Sequence, residues 1–163
     1  QEYAAGALAY LQYFYSPLTG ELEFFGVDQR HESDIEGLGR IPSEQQLKSK
    51  KVPSFNVIGN SPLVLRESLL DEVYTMGENF VDAAKRIVSP GMNGPFCIEG
   101  VYDENAKFTS FEFSARIVAG TNIYMDGSPY YSLLFNENMS MGKRIAREVK
   151  IAEEKNEIEK IVT

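Results

Sequence analysis

The sequence holds one cysteine, one histidine and no tryptophan in 163 residues. A single thiol, Cys97, excludes an internal disulfide and any cysteine-rich metal site, and it fits a reducing, cytoplasmic compartment. A lone His31 excludes a two-histidine metal motif. No apolar run approaches the roughly 20 residues of a membrane span. No basic segment followed by an apolar one marks a signal peptide, so no membrane role is expected. Basic charge is scarce too: 16 Lys and Arg stand against 24 Asp and Glu, for a net charge of -8. Such a surface repels nucleic acid, while leaving room for a local basic pocket that holds a phosphate. Dinucleotide fingerprints, phosphate loops and nucleophile elbows are all missing. The chain opens at Gln1 without Met, inside a strand-like segment, and is therefore expected to be part of something longer.

What is present reads as one domain over 1–163, of a length that buries roughly 70% of its unfolded surface. Tyr3 to Tyr15 is aromatic-rich and suits a long strand. Ser16-Pro17-Leu18-Thr19-Gly20 is a turn, and Glu21 to Val27 forms a second strand. Asp28 to Gly39 is polar and reads as a loop. A short helix is expected after Pro42, with Ser43 as its cap, and a short strand over Phe55 to Ile58. Leu69, Val73, Met76, Phe80, Ala84 and Ile87 recur at helical spacing until Ser89-Pro90-Gly91 stops the helix. Further expectations are a strand at Ile123 to Met125, a helix starting at Ser128-Pro129 and a last helix from about Ser140. Antiparallel strands with segregated helices make an α+β fold.

The chemistry concentrates in one hairpin, Pro95 to Tyr102 and Lys107 to Arg116, joined at Asp103-Glu104-Asn105-Ala106. A loop centred on Glu104-Asn105 pairs Tyr102 with Lys107 and sets Glu99 opposite Ser110. Ser110, Glu112 and Ser114 then share a face with Glu99, and Glu112 lies diagonal to it at roughly 7–8 Å. Phe111, Phe113 and Ala115 take the core side. Two carboxylates so placed suit Mg²⁺, which uses one or two of them together with substrate phosphates. Strand glutamates also simply face solvent, and a register slip of one residue would put these two on opposite faces. His31 is open between a solvated loop residue and a catalytic one. Cys97, between Phe96 and Ile98, reads as inert packing.

Gly94-Pro95-Phe96-Cys97-Ile98-Glu99, followed by Phe111-Glu112-Phe113-Ser114-Ala115-Arg116, resembles the metal-binding end of ATP-grasp ligases. Ser114 stands where that superfamily usually has asparagine. Asn56 to Leu70, Asp28 to Ser33, Gly39 to Pro42, Ser128-Pro129-Tyr130 and Met139 to Glu148 narrow the resemblance. Together they are similar to the archaeal formate-dependent 5-formaminoimidazole-4-carboxamide ribonucleotide synthetases, over nearly the whole chain.

The resemblance implies the C-terminal subdomain of an ATP-grasp fold, without the N-terminal domain and the lid. It implies a reaction in which ATP, formate and aminoimidazole carboxamide ribonucleotide give the formylated ribonucleotide, ADP and phosphate through formyl phosphate. It implies Glu99 and Glu112 as ligands of Mg²⁺ (or Mn²⁺), and Glu2 and Asp28 as ATP contacts. Asn60 and Arg66 would contact the ribonucleotide, and Arg116 would stabilise phosphoryl charge. Arg116 is also compatible with a surface ion pair, and Arg66 with pairing to its neighbours. A homo-oligomer is expected from the family. Two alternatives stay open: a paralogous ligase with another carboxylate or amine, and a non-catalytic nucleotide-binding regulator, toward which Ser114 leans.

Overall fold

A computed structural model describes residues 3–162. Ser16 turns the chain between β1 (Ala7–Tyr15) and β2 (Leu22–Glu32), its amide donating to the Glu21 carbonyl at 3.0 Å. Two short helices follow, α1 (Ile35–Leu38) and α2 (Ser43–Ser49), then β3 (Val57–Leu63). The long helix α3 (Leu70–Ile87) leads to the hairpin β4 (Gly94–Tyr102) and β5 (Phe108–Ser114). After the hairpin come α4 (Pro129–Phe135) and α5 (Met141–Lys155), followed by a 3-10 helix at Ile158–Lys160. All strand pairings are antiparallel, in the order β3-β2-β1-β4-β5. This is the expected α+β class, an antiparallel sheet with flanking helices.

Alternation along β1 divides the core in two. Ala9, Leu11, Tyr13 and Tyr15 face α3 and pack with Phe24, Val73, Val81, Phe96 and Ile98. Gly77 lets α3 lie close, since a Cβ there would fall 2.7 Å from the Tyr13 ring and from Leu22. Phe14 and Phe25 point the other way, onto Tyr124, Tyr131, Met139 and Met141. Beside Phe14 and Phe25 the second face carries the buried polar residues Gln12, Asp28 and Glu99, with a small apolar cluster of Tyr10, Cys97 and Val118.

Several boundaries differ from expectation. The first strand starts at Ala7 rather than Tyr3. Asp28 to Glu32 is no loop: it continues β2, because β3 supplies a second neighbour for its backbone groups. Ser43 is the first helical residue, not the cap, which is Pro42. Ile87 ends α3 but is 79% exposed, outside the core stripe. Ile123 and Tyr124 belong to a 3-10 helix (Ala119–Tyr124), not a strand. Ser128 and Ser140 do cap α4 and α5, accepting from the amides of Tyr131 at 3.1 Å and Lys143 at 3.2 Å.

Candidate active site

The β4–β5 register departs from the simple hairpin twice, and the two departures cancel. The Asp103 carboxylate accepts from the amides of Asn105 at 2.9 Å and Lys107 at 2.8 Å, and Ala106 sits in the left-handed region at φ 60°. This longer loop pairs Tyr102 with Phe108, one residue off the expected partner. Alone, that slip would have turned Glu99 and Glu112 to opposite faces. A bulge between Glu99 and Gly100 inserts one extra residue on β5, and beyond it Glu99 stands directly opposite Glu112. The carboxylates are thus direct cross-strand neighbours rather than diagonal ones, with Cβ atoms about 4.5–5.5 Å apart by strand geometry. Ser110, expected on their face, pairs with Gly100 and lies on the other. Phe113 faces α3 as expected, its ring 5.0 Å from that of Phe80.

One row of directly paired residues crosses the sheet: Pro62, Asp28, Tyr10, Glu99 and Glu112. Arg30 and Asn60, opposite each other, flank it on the same face. Glu99 is 2% exposed, and its Oε1 accepts from Arg30 Nη2 at 3.0 Å and Ser114 Oγ at 3.1 Å. The Arg30 guanidinium lies 4.0 Å over the Tyr10 ring, a cation–π stack. Burial opposes the Arg30 charge, but the Glu99 carboxylate beside it wins and holds its pKa above the ordinary value. Burial pushes the Tyr10 hydroxyl up to about 12, so it stays protonated.

A cavity of about 420 Å³ opens over this row, lined among others by Tyr10, Arg30, Glu32, Glu99, Phe111 and Glu112. Glu112 is exposed there, with no hydrogen-bond or ion-pair partner among the described residues. Among the described residues no group of three or more His, Cys, Asp or Glu could hold a metal. The donor set is therefore two carboxylates, which suits a hard divalent ion completed by water and phosphate oxygens rather than a closed structural site.

Asp28, which the resemblance implies as an ATP contact, is buried within the sheet face. It is 1% exposed, with Oδ1 accepting from Gln12 Nε2 and Oδ2 from Asn60 Nδ2 at 2.6 Å. Burial raises its pKa, and the Gln12 and Asn60 hydrogen bonds hold the rise back. A Cβ on Gly120 would fall 2.1 Å from Asp28 Oδ1, so only glycine fits above it. Because Asp28 takes the Asn60 amide group, the Asn60 carbonyl oxygen is left to accept from something else.

The other expected residues lie apart. Arg116 is exposed and donates from Nη1 to the Ile117 carbonyl at 2.8 Å, outside the residues lining the cavity. Arg66 is exposed and lines a different cavity, beside Tyr102 and the Asp103–Ala106 loop. Glu2 lies outside the described residues. His31 points away from the row, its Nε2 2.9 Å from Ser61 Oγ and its Nδ1 3.1 Å from Glu36 Oε1. Cys97 is fully buried, and burial pushes its thiol pKa up, as inert packing requires. Sequence reasoning missed Tyr10, Gln12 and Arg30. The available signal was the period-two recurrence of Asp28, Arg30 and Glu32, obscured because polar residues on a strand look like a loop.

Comparison with known proteins follows the same lines. A 5-formaminoimidazole-4-carboxamide-1-(beta)-D-ribofuranosyl 5'-monophosphate synthetase of Nitrosopumilus maritimus is 85% identical over 163 residues, all of this chain and 48% of that protein. Proteins of the same name from Cenarchaeum symbiosum and Pyrococcus horikoshii are 69% and 51% identical, again over the full chain. The crystal structure of an IMP biosynthesis protein PurP from Thermococcus kodakaraensis superposes with a TM-score of 0.83 at 36% identity, covering 99% of this chain and 51% of that one. The chain thus spans about half the length of the curated relatives it matches. One family description, a domain of unknown function (DUF1297), matches residues 1–163, and the chain belongs to that family.

Proposed function

We propose that this chain is the C-terminal part of an ATP-grasp ligase that formylates aminoimidazole carboxamide ribonucleotide with formate and ATP, releasing ADP and phosphate, in IMP biosynthesis. The observation that carries the reading is the direct opposition of Glu99 and Glu112 at the floor of the cavity. The names of the similar synthetases give the product, the formylated ribonucleotide, and the motif resemblance suggests formate and ATP as the other reactants.

In this reading Glu99 and Glu112 hold Mg²⁺ or Mn²⁺, which neutralises phosphoryl charge when bound. Phosphoryl transfer is mostly positioning and charge neutralisation, so a rigid pair of carboxylates on a bulged hairpin is the part this chain contributes. Formate attacks the γ-phosphorus, its carboxylate oxygen forming the new P–O bond as ADP leaves. The ribonucleotide amine then takes the formyl group from formyl phosphate, releasing phosphate. Asn60 turns its carbonyl oxygen to an N–H of the ribonucleotide, and Asp28 acts beneath it by fixing the amide. Arg66 meets the ribonucleotide and Arg116 the phosphoryl group, each by turning from its exposed position. Glu2 contributes to the ATP contact. The assembly is a cytoplasmic homo-oligomer without nucleic-acid or membrane partners. Among the described residues no helix is long and apolar enough to cross a membrane.

The test uses the full-length protein with ATP, formate and the ribonucleotide. ADP release that depends on formate is expected; release without formate dependence removes the reading. This chain alone is expected to bind Mg²⁺-nucleotide weakly and not to turn over.

A further inference from the structure

Arg30 is oriented from two sides and uses little of its hydrogen-bonding capacity. A guanidinium has five N–H donors, yet among the described residues only Nη2 is engaged, by Glu99 at 3.0 Å. Its plane is fixed by the Tyr10 ring at 4.0 Å. The side chain is 26% exposed and lines the same cavity as Glu99 and Glu112. Its other donors make no hydrogen bond among the described residues, and the cavity is the open space beside them. Structural arginines of this chain look different, as Arg144 illustrates with four engaged contacts to two carboxylates.

Resting on the ligase reading, we propose that Arg30 is an oxyanion-binding residue of this cavity, holding an oxygen of the phosphoryl group or of the attacking carboxylate beside Glu99. Three features carry this. The free fork of a guanidinium matches two oxygens of a carboxylate or phosphate bidentately. The Tyr10 stack and the Glu99 contact remove rotamer freedom in advance, so little entropy is lost on binding. A positive charge within hydrogen-bond distance of Glu99 also places the bound anion next to the cation site. Arg116 is turned onto the Ile117 carbonyl, whereas Arg30 already stands in place.

The experiment compares wild type, Arg30→Met and Arg30→Lys in the full-length enzyme, with KM for ATP and for formate measured separately. Arg30→Met should raise one of the two roughly 10- to 100-fold, the scale of a lost charge-assisted hydrogen bond. A rise for formate assigns the carboxylate, and a rise for ATP assigns the phosphoryl group. Arg30→Lys keeps the charge and loses the fork, and should recover only part of the loss; it also serves if the Met variant does not fold. A fall in kcat with both KM values within twofold, or an Arg30→Lys enzyme equal to wild type, overturns the proposal. If the wild type shows no formate-dependent ADP release, the ligase reading fails by itself. Calorimetric titration of formate and inorganic phosphate then decides Arg30: weaker binding to Arg30→Met supports it, and equal binding overturns it.

Discussion

Two arginine–carboxylate clusters sit on the same face of this sheet, each stacked on an aromatic ring of β1. Arg144 lies 4.1 Å over Phe14, and Arg30 lies 4.0 Å over Tyr10. The Arg144 cluster is closed. Its Nε and Nη2 donate to Glu23 at 2.8 to 3.0 Å, Nη1 donates to Glu148 at 2.7 Å, and Ser16 Oγ donates to Glu148 at 2.6 Å. Burial works against the Arg144 charge, but the Glu23 and Glu148 hydrogen bonds outweigh it and raise its pKa. The Arg30 cluster is open: one donor is engaged, and Glu112 faces the cavity without a partner among the described residues. A polar cluster that satisfies itself joins α5 to the sheet. One that leaves donors and acceptors facing a cavity keeps hydrogen-bonding capacity for a ligand, as the proposal requires.

The comparison is broken most sharply at Arg144. Arg144→Met leaves Glu23 and Glu148 buried without a counter-charge, and should cost about 3–5 kcal/mol in denaturant unfolding. The matching change in the open cluster, Glu112→Gln, should leave the denaturation midpoint nearly unmoved because the side chain is exposed. In the full-length enzyme it should lower turnover on the order of 100-fold, about 2.7 kcal/mol of transition-state stabilisation, and weaken Mn²⁺ binding in titration. Turnover within twofold of wild type would show that Glu112 is only a solvated strand residue.

Gly120→Ala tests the support beneath the open cluster. Its Cβ would meet Asp28 Oδ1 at 2.1 Å, and overpacking of this kind should cost about 1–3 kcal/mol. The KM for the ribonucleotide should rise with it, since Asp28 orients Asn60. The smallest effect is a pH dependence. The Asp28 pKa is raised in the folded state, so that state binds the proton more tightly than the unfolded chain. Stability from this group is complete below the unfolded carboxylate value, about 3.9, and is lost as pH rises through the folded value. Asp28→Asn carries no such titration. Its melting temperature relative to wild type should therefore be lowest in acid and improve as the pH rises through that window.

Much of the fold was legible because its signals are local. The stripe from Leu69 to Ala84 predicts α3, and Ser128-Pro129 predicts a capped helix start that the hydrogen bond of the Tyr131 amide bears out; a helix expected from about Ser140 starts there, and the structure adds its cap. Strand β2 runs past its expected end at Val27, since Asp28, Arg30 and Glu32 are polar and nothing in their own segment reveals that β3 pairs with them. In the candidate site, Glu99, Glu112 and Asn60 are legible from the sequence and share one face; the two glutamates line the cavity, and Asn60 lies outside its lining. Arg66 and Arg116 were named as well, and the structure leaves both outside the cavity.

The residues by themselves determined an α+β chain with one inert thiol, two carboxylates on one hairpin and a likeness to formate-dependent ligases. The relation between the two glutamates was decided only in three dimensions. Strand pairing is set by the Asp103 loop and by an inserted residue on β5, and each shifts the side-chain alternation by one. Two shifts of one restore the face, so the expected conclusion survived for a reason that no periodicity within either strand contains. The placement of Arg30 is likewise a tertiary matter. Its orientation comes from Tyr10 on β1 and Glu99 on β4, which are 20 and 69 positions away in the chain and adjacent only across the sheet.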